Sequence, residues 1–90
     1  MDRPLDTRRK KLLFRSVRRG TKESDMVVGG FAERYLSALD AGQLDRFEAL
    51  LDRNDQELLG WISGTRPVPP EFDHDVLLLL QDFKSSLSRN

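Results

Sequence analysis

Cysteine is absent from this sequence of 90 residues, and histidine occurs only once, as His74. Without cysteine the chain cannot form a disulfide, a thiolate nucleophile, an iron–sulfur cluster or a cysteine-based zinc site. One histidine also excludes a metal site that needs several imidazole ligands. The longest apolar run, Val76 to Leu80, has five residues, whereas a membrane-spanning helix needs about 20. These absences argue against a conventional enzyme and against a membrane-spanning protein.

The length and composition of the chain indicate one small globular domain. Ninety residues can bury a single hydrophobic core and leave no room for a second one. Hydrophobic residues make up 38% of the chain and charged residues 33%, which is too apolar for a fully disordered protein. We therefore predict one domain over residues 1–90.

The charges balance in sum but are divided along the chain. Residues 1–22 carry nine basic and two acidic side chains, a net charge of +7, whereas residues 23–90 carry six and thirteen, a net charge of −7. This division predicts that the first segment either contacts an acidic partner or packs against the acidic remainder of its own domain. Nucleic acid is one candidate partner, and an acidic protein surface is another.

Apolar residues recur at helical spacing, and no segment alternates with the period of two that is typical of a strand. The predicted fold is all-α, a compact single domain of about five short helices. The basic first helix covers about residues 6–19, the prolines at residues 64–70 form a stiff loop, and the last helix covers about residues 73–87. Trp61, Met26 and Leu87 are among the apolar residues that we expect to face inward.

Local signals mark where the predicted helices begin and where one is interrupted. Gly29 and Gly30 interrupt the second helix at a cost of about 1 kcal/mol for each glycine, which a kink or a close helix crossing would explain. The predicted N-terminal caps are Asp6 or Thr7 for the first helix, and capping boxes formed by Asp40 with Gln43 and by Asn54 with Glu57 for the third and fourth.

Residues 18–25 join the first two predicted helices, and we call them the junction. Gly20 is placed just after the first helix, where a positive φ suits glycine. Arg18 and Arg19 fall in the last turn of that helix, where its dipole favours cations. Thr21 is placed to cap the second helix. From the residues alone, the junction is a helix end, a glycine turn and a capped helix start.

Few other residues suggest chemistry. His74 lies between two aspartates, but adjacent helical residues point about 100° apart and do not converge on a metal ion or a substrate. The run at residues 8–11 is basic and could bind phosphates, whereas no glycine-rich phosphate loop is present. We predict no catalytic, cofactor-binding or metal-binding residue in this chain.

The junction resembles the signature of a known family. Arg19-Gly20-Thr21-Lys22-Glu23, with Arg18 before it and Asp25 after it, is similar to the Arg-Gly-x-x-Glu motif of the FAD assembly (flavinylation) factors of succinate dehydrogenase, the SdhE family. Further matches follow in order, and the resemblance covers about residues 12–83. Two positions depart from many members, which have Met and an aliphatic residue where this chain has Thr21 and Ser24. The matching segments are Phe31-Ala32-Glu33, residues 47–52, Asn54-Asp55, residues 58–62, Gly64 and Pro67.

The resemblance implies a five-helix assembly factor rather than an enzyme. Such factors bind the flavoprotein subunit of succinate dehydrogenase, and in bacteria often that of fumarate reductase, and promote the bond between a client histidine and the 8α-methyl of FAD. The reacting atoms belong to the client and to FAD, so we expect no cofactor of the chain's own. We expect a monomer that binds neither nucleic acid nor a membrane; whether fumarate reductase is a second client is left open.

The resemblance also implies which residues bind the client: Arg18, Arg19, Gly20, Lys22, Glu23 and Asp25. Arg19 is expected to contact client oxygens through its fork of donors. Glu23 is expected to pair with a client cation or to brace Arg19. Gly20 is expected to allow close approach of the backbones, and the basic first helix to steer association.

An alternative function is that of a small helical DNA-binding or antitoxin-like regulator that uses the basic first helix. The net charge of −7 on the remainder disfavours it, because that charge would repel phosphates. The expected location is the bacterial cytoplasm. The signature begins at Arg18, which leaves too few residues for a mitochondrial presequence and a helix, and Asp2 and Asp6 are unlike an acid-poor transit peptide.

Overall fold

The computed structural model describes residues 5–88, and within this range the chain forms five helices and no strand. The predicted all-α fold is therefore confirmed. The loop between the fourth and fifth helices contains one 3-10 turn, Pro70–Phe72. Over the described residues no helix is long and apolar enough to cross a membrane. The helices are α1 (Thr7–Ser16), α2 (residues 22–38), α3 (Ala41–Leu51), α4 (Asp55–Ser63) and α5 (Asp75–Ser88).

Helix α1 begins where the sequence predicts and ends earlier. Asp6 caps it, because its Oδ1 accepts a hydrogen bond from the backbone N–H of Arg9 at 2.8 Å. The helix ends at Ser16, whose buried hydroxyl donates to a carbonyl oxygen one turn back at 2.7 Å. The prediction that the helix extends to residue 19, with Arg18 and Arg19 in its last turn, is wrong. The chain leaves the helix because Arg19 is held by residues of distant helices, as described below.

Helix α2 changes its geometry along its length. The glycine pair lies where π-helix changes to α-helix, and neighbouring segments approach closely at that point. A Cβ atom added to Gly29 would lie 3.1 Å from Cγ1 of Val17, and one added to Gly30 would lie 3.1 Å from the ring of Phe83. The interruption and the close crossing that the glycines predict are both confirmed. The four segments of α2 are the α-helical turn Lys22–Ser24, the π-helical turn Asp25–Gly29, the α-helix Gly30–Tyr35 and the 3-10 turn Leu36–Ala38.

The two predicted capping boxes form to different extents. At the start of α3 both halves are present: the Gln43 backbone N–H donates to Asp40 at 2.8 Å, and the Gln43 side chain accepts from the Asp40 backbone N–H at 3.0 Å. At the start of α4 the Asn54 side chain accepts from the Glu57 backbone N–H at 2.9 Å. The return bond is replaced, because the Glu57 carboxylate accepts from Arg53 at 3.0 Å.

Aromatic rings from three helices meet in the core. Phe31 of α2 is fully buried, and its ring centroid lies 4.9 Å from that of Tyr35, 5.5 Å from that of Phe47 and 6.1 Å from that of Phe83. Ring pairs at these separations add to the stabilisation that burial alone provides. The core therefore joins α2 to α3 and to α5.

Trp61 of α4 is buried, as predicted, and stacks on Phe72 of the proline loop with ring centroids 4.9 Å apart. The inward placement of Met26 and Leu87 is wrong, because both are exposed. Met26 lies in the π-helical turn of α2, which shifts side chains away from the positions that a regular helix predicts. Leu87 lies in the last turn of α5.

Candidate functional site at the junction of the first two helices

Arg19 is held inside the protein by its own side chain. Its Nε donates to Oδ1 of Asp55 at 2.6 Å, its Nη1 to the carbonyl oxygen of Leu51 at 2.8 Å, and its Nη2 to that of Arg53 at 2.5 Å. The side chains of Arg19 and Asp55 are only 9% and 19% exposed. Arg19 therefore joins the junction to the end of α3 and the first residue of α4. Each of the three side-chain nitrogens of Arg19 donates one hydrogen bond within the chain, so the contact of its fork with a client stays a prediction that would use the two remaining N–H groups.

Three further contacts fix the backbone around Arg19. Its backbone N–H donates to Oδ1 of Asp25 at 2.9 Å. The hydroxyl of Ser24 is buried and donates to the same Asp55 oxygen as Arg19, at 3.1 Å. The Thr21 hydroxyl caps α2 by accepting from the Ser24 backbone N–H at 3.2 Å. Gly20 follows Arg19 in the chain, is exposed and has a φ of 109°, so the predicted positive φ is confirmed.

The other charged residues of the junction face solvent. Lys22 and Glu23 are exposed, and the side chain of neither has a hydrogen bond or an ion pair in the described part of the chain. The guanidinium of Arg18 lies over the exposed ring of Phe14, 4.7 Å from its centroid. The prediction that Glu23 braces Arg19 is wrong, because no contact joins the two side chains. The junction thus has an inward set, Arg19 and Asp25, and an outward set, Arg18, Lys22 and Glu23.

Part of the basic first helix packs against acidic residues of the same domain. Nη2 of Arg8 donates to Asp45 at 2.6 Å and to Glu48 at 3.0 Å, and Nη2 of Arg15 donates to Asp52 at 2.6 Å. The hydrogen bonds to Asp45 and then to Glu48 raise the pKa of Arg8 above its ordinary value. Of the two interpretations of the charge division, the internal one therefore holds for this side of α1.

Arg9 also points inward and joins α1 to the end of α2. Its Nε donates to the carbonyl oxygen of Leu36 at 2.7 Å, and its Nη2 donates to that of Leu39. The pKa of the Asp6 carboxyl is lowered from its ordinary value, and the main cause is the hydrogen bond that it accepts from the Arg9 backbone N–H. Desolvation acts in the opposite direction and is the smaller of the two effects. The four basic residues 8–11 therefore divide into two pairs: Arg8 and Arg9 bind within the domain, and Lys10 and Lys11 are exposed.

The side chain of His74 forms a hydrogen bond with the backbone of its own domain. Its Nδ1 accepts a hydrogen bond from the backbone N–H of Leu77 at 3.2 Å, at the start of α5. Burial lowers the pKa of His74, and the nearby Asp75 opposes the shift. Asp75 in turn accepts from Nε of Arg46 at 2.8 Å. Among residues 5–88, no three acidic or histidine side chains are grouped so that they could hold a metal ion.

Two residues of this region were missed by the reasoning from the sequence. Asp55 belongs to a segment that matches the family, but only its acceptance of hydrogen bonds from both Arg19 and Ser24 reveals its place in the junction. From the sequence, Asp55 is recognisable only as the first residue of a capped helix. That position predicts a favourable interaction with the helix dipole and does not predict a contact with Arg19. Phe14 is 58% exposed, and its position between basic residues was its only distinguishing feature.

Comparison with known proteins gives a consistent result over most of the chain. Residues 10–84, which include the whole junction, match the family described as flavinator of succinate dehydrogenase. The chain is 36% identical over 90 residues to succinate dehydrogenase assembly factor 2-A, mitochondrial, of Drosophila mojavensis, a match that covers 98% of this chain and 57% of the relative. It is 34% identical over 83 residues to assembly factor 2-B, mitochondrial, of Drosophila melanogaster, covering 90% and 53%.

These relatives are longer than the matched region, so the chain spans somewhat more than half of their length. The matched region nevertheless includes α2, α3 and α4 in full and all of the buried core residues, and it leaves out only the first turn of α1 and the last turn of α5. The residues that hold the junction, Arg19 and Asp55, lie within it. The chain belongs to the family of succinate dehydrogenase flavinators.

Proposed function

We propose that this chain binds the flavoprotein subunit of succinate dehydrogenase and promotes the covalent attachment of FAD to a histidine of that subunit. The observation that carries the proposal is the family match over residues 10–84. It is supported by the junction, where the family's motif is held rigidly on one side and leaves Lys22 and Glu23 without partners on the other. An exposed, unpaired acid on a fixed backbone is suited to pairing with a cation of a protein partner.

The proposed mechanism is one of orientation. This chain supplies no atom to the new bond; it holds the client so that the client's histidine and the 8α-methyl of FAD lie within reach of each other. The role of Arg19 is then to position the junction rather than to touch the client, because Arg19 binds Asp55 and two carbonyl oxygens of its own chain. Glu23, Lys22 and Arg18 supply the polar contacts, and Gly20 supplies an exposed turn without a side chain.

The same proposal includes the partners and the location. The chain acts as a monomer in the bacterial cytoplasm, on a flavoprotein that has not yet joined its membrane complex. The covalent-flavin assay described below, repeated with the fumarate reductase flavoprotein, tests whether that protein is a second client. It binds no cofactor itself and is not an enzyme. The relatives are named as mitochondrial proteins, so cell fractionation and gel filtration of the tagged chain test the proposed location and the monomeric state.

The DNA-binding or antitoxin-like alternative has less support. Arg8, Arg9, Arg15 and Arg19 all bind acceptors within the domain. The basic charge that is available to phosphates is therefore much smaller than the count of residues 1–22 suggests.

The test of the proposed function is covalent flavin formation with and without this chain. The flavoprotein subunit is expressed in cells that lack their native factor, separated on a denaturing gel and examined for flavin fluorescence, which only a covalently attached flavin retains. We expect fluorescence to appear when the chain is co-expressed, and the native flavoprotein to co-purify with it. Equal fluorescence in the presence and absence of the chain would refute the proposal.

A further inference from the structure

A large apolar side chain is exposed in the middle of the basic first segment. Phe14 is 58% exposed, although α1 also provides the buried Leu12 to the core. Two open hollows border the ring, one of about 470 Å³ lined with Lys10 and Lys11, and one of about 340 Å³ lined with Arg18. Exposed aromatic side chains between hollows are typical of the centres of protein interfaces.

Arg18 is arranged to bind a carboxylate. The guanidinium carbon Cζ of Arg18 lies over the Phe14 ring, 4.7 Å from the centroid. This cation–π contact holds the guanidinium beside the ring and uses none of its N–H groups in a hydrogen bond, so they stay available for a bidentate contact. No salt bridge to Arg18 exists within residues 5–88, so its charge is not neutralised locally.

Lys10 and Lys11 extend the positive charge to the other side of Phe14. Both are exposed and form no ion pair in the part of the chain that the structure describes. Arg8 differs from both lysines, because it forms ion pairs with Asp45 and Glu48 of α3. The result is a surface of four residues, Lys10, Lys11, Phe14 and Arg18, that we call the basic–aromatic surface.

We propose that the basic–aromatic surface binds an acidic segment of the flavoprotein client, with an apolar side chain of that segment against Phe14 and a carboxylate on Arg18. This inference rests on the proposed function and extends the contact beyond the junction. Charge complementarity fixes the kind of occupant, because three unpaired cations surround one aromatic ring. The hollow at Arg18 is also lined by Arg19, so one client can cover the surface and the junction together.

A lipid membrane fits this surface less well than an acidic protein segment does. Helices that lie in a membrane interface present a whole apolar face to the acyl chains. In α1 the apolar residues Leu12 and Leu13 pack in or against the core, and Phe14 alone remains outside. One aromatic ring among cations suits a pocket-filling contact with a protein.

The test is a titration of the purified flavoprotein subunit with the full chain and its variants. Phe14→Ala and Arg18→Gln remove the two central contacts. Leu78→Ala is the matched control for Phe14, because Leu78 is 56% exposed on α5. Arg34→Gln is the matched control for Arg18, because Arg34 is an exposed arginine over an aromatic ring, Tyr35.

We expect Phe14→Ala to weaken binding about tenfold or more and Arg18→Gln by about three- to tenfold, while the two controls stay within about twofold of the unchanged chain. The loss on Arg18→Gln should shrink at high salt, because screening already weakens that contact. Circular dichroism spectra of all four variants should match that of the unchanged chain. Flavoprotein binding that both Phe14→Ala and Arg18→Gln leave unaltered would overturn this inference and leave the proposed function standing.

Two other outcomes would also overturn it. In the first, vesicles of phosphatidylglycerol and phosphatidylcholine bind the chain, Phe14→Ala abolishes this binding, and flavoprotein affinity does not change; the surface would then face lipid. In the second, the unchanged chain does not bind the flavoprotein at all, which refutes the proposed function together with this inference.

Discussion

Arg18 and Arg19 are adjacent in the sequence and opposite in the structure. Arg19 is nearly buried and donates four hydrogen bonds, three from its side chain and one from its backbone, to residues of α2, α3 and α4 and of the loop between α3 and α4. Arg18 is exposed, and within residues 5–88 its side chain interacts with the ring of Phe14 alone. The same division separates Asp25, whose side chain accepts a hydrogen bond from the backbone of Arg19, from Glu23, whose side chain has no partner among the described residues. A family motif can thus contain residues that build the surface next to residues that are free to use it.

The largest difference between the two arginines is expected in the free energy of unfolding, which should depend on Arg19. Arg19→Ala removes one partner of a largely buried ion pair and leaves the Asp55 carboxylate with only Ser24, so we expect a loss of about 3 kcal/mol in the free energy of unfolding. The conservative Arg19→Lys keeps the charge but lacks the planar fork that reaches three acceptors at once. Its free energy of unfolding should lie between those of the unchanged chain and Arg19→Ala. Arg18→Ala is the control and should change the free energy of unfolding by less than about 0.5 kcal/mol.

Urea unfolding followed by circular dichroism measures these changes. An Arg19→Ala variant as stable as the unchanged chain would show that Arg19 does not hold the junction. A low-temperature assay separates structure from contact: if the folded Arg19→Ala protein still promotes covalent flavin formation, Arg19 acts only by positioning the junction. A folded variant that fails in this assay would place Arg19 among the client contacts after all.

The inward and outward sets could not have been separated from the sequence. Helical periodicity and capping residues are local signals, and they predicted the five helices, the Asp6 cap and the positive φ of Gly20. The end of α1 was predicted too late, because it depends on hydrogen bonds between Arg19 and residues more than 30 positions away. No pattern within residues 18–25 indicates which arginine will meet those acceptors.

The charge division is a second case in which the sequence does not show which residues face inward and which face solvent. Its sum over residues 1–22 correctly indicated an internal or external acidic partner, but only the packing of α1 on α3 shows that Arg8 binds Asp45 and Glu48. Lys10, two residues further, has a similar charge and points to solvent. The family motif therefore indicates the region of the candidate site, and tertiary contacts decide which of its residues face inward.

A smaller effect is expected at the glycine turn of the junction. Gly20 has a φ of 109° with no other atom within 4 Å of an added Cβ, so Gly20→Ala causes backbone strain and no clash, at a cost of about 1–2 kcal/mol. Gly64→Ala is a matched control, because Gly64 also has a positive φ, 79°, and open space, at the end of α4. Both variants should unfold at lower urea concentrations.

The two glycine variants should differ in function if the turn contacts the client. At a temperature where both are folded, we expect Gly20→Ala to reduce covalent flavin formation and Gly64→Ala to leave it unchanged. Equal flavin formation by the two variants would show that the turn does not lie in the client contact.

The basic residues of α1 also divide into an inward pair, Arg8 and Arg15, and an outward pair, Lys10 and Lys11. We expect smaller differences between these pairs than between Arg19 and Arg18. The double variant Arg8→Gln/Arg15→Gln should lower the melting temperature, because it removes the partners of α3 carboxylates, although exposed ion pairs contribute little each. Lys10→Gln/Lys11→Gln should leave the melting temperature unchanged and slow association with the flavoprotein at low salt. The reverse result, a lower melting temperature for the lysine variant only, would contradict the assignment of the two sides.

A dependence of stability on acid pH is expected from Asp75. Hydrogen bonds from Arg46 and then from Gln43 lower the pKa of Asp75 below its ordinary value of 3.8. A depressed folded-state pKa stabilises the protein above the unfolded-state pKa, and this stabilisation is lost as the pH falls through the folded-state value. Melting curves between about pH 6 and pH 2 should show a shallower decline for Asp75→Asn than for the unchanged chain. Parallel declines would show that the Arg46 contact does not shift the titration of Asp75.

The smallest expected change in stability, at Glu23, carries the strongest functional consequence. Glu23 lies in the first turn of α2, and its side chain has no partner in the range that the structure covers, residues 5–88. Glu23→Gln therefore costs only the interaction with the helix dipole, a few tenths of a kcal/mol. Glu33→Gln is the control, because Glu33 is an exposed glutamate of the same helix. We expect both variants to fold and to melt like the unchanged chain, and only Glu23→Gln to lose covalent flavin formation and flavoprotein binding. Arg19 and Glu23 would then have opposite profiles, one with a large loss of stability and the other with a large loss of function. If Glu23→Gln retains full activity, the charge of Glu23 is that of an ordinary surface acid, and the client contact must lie elsewhere on this domain.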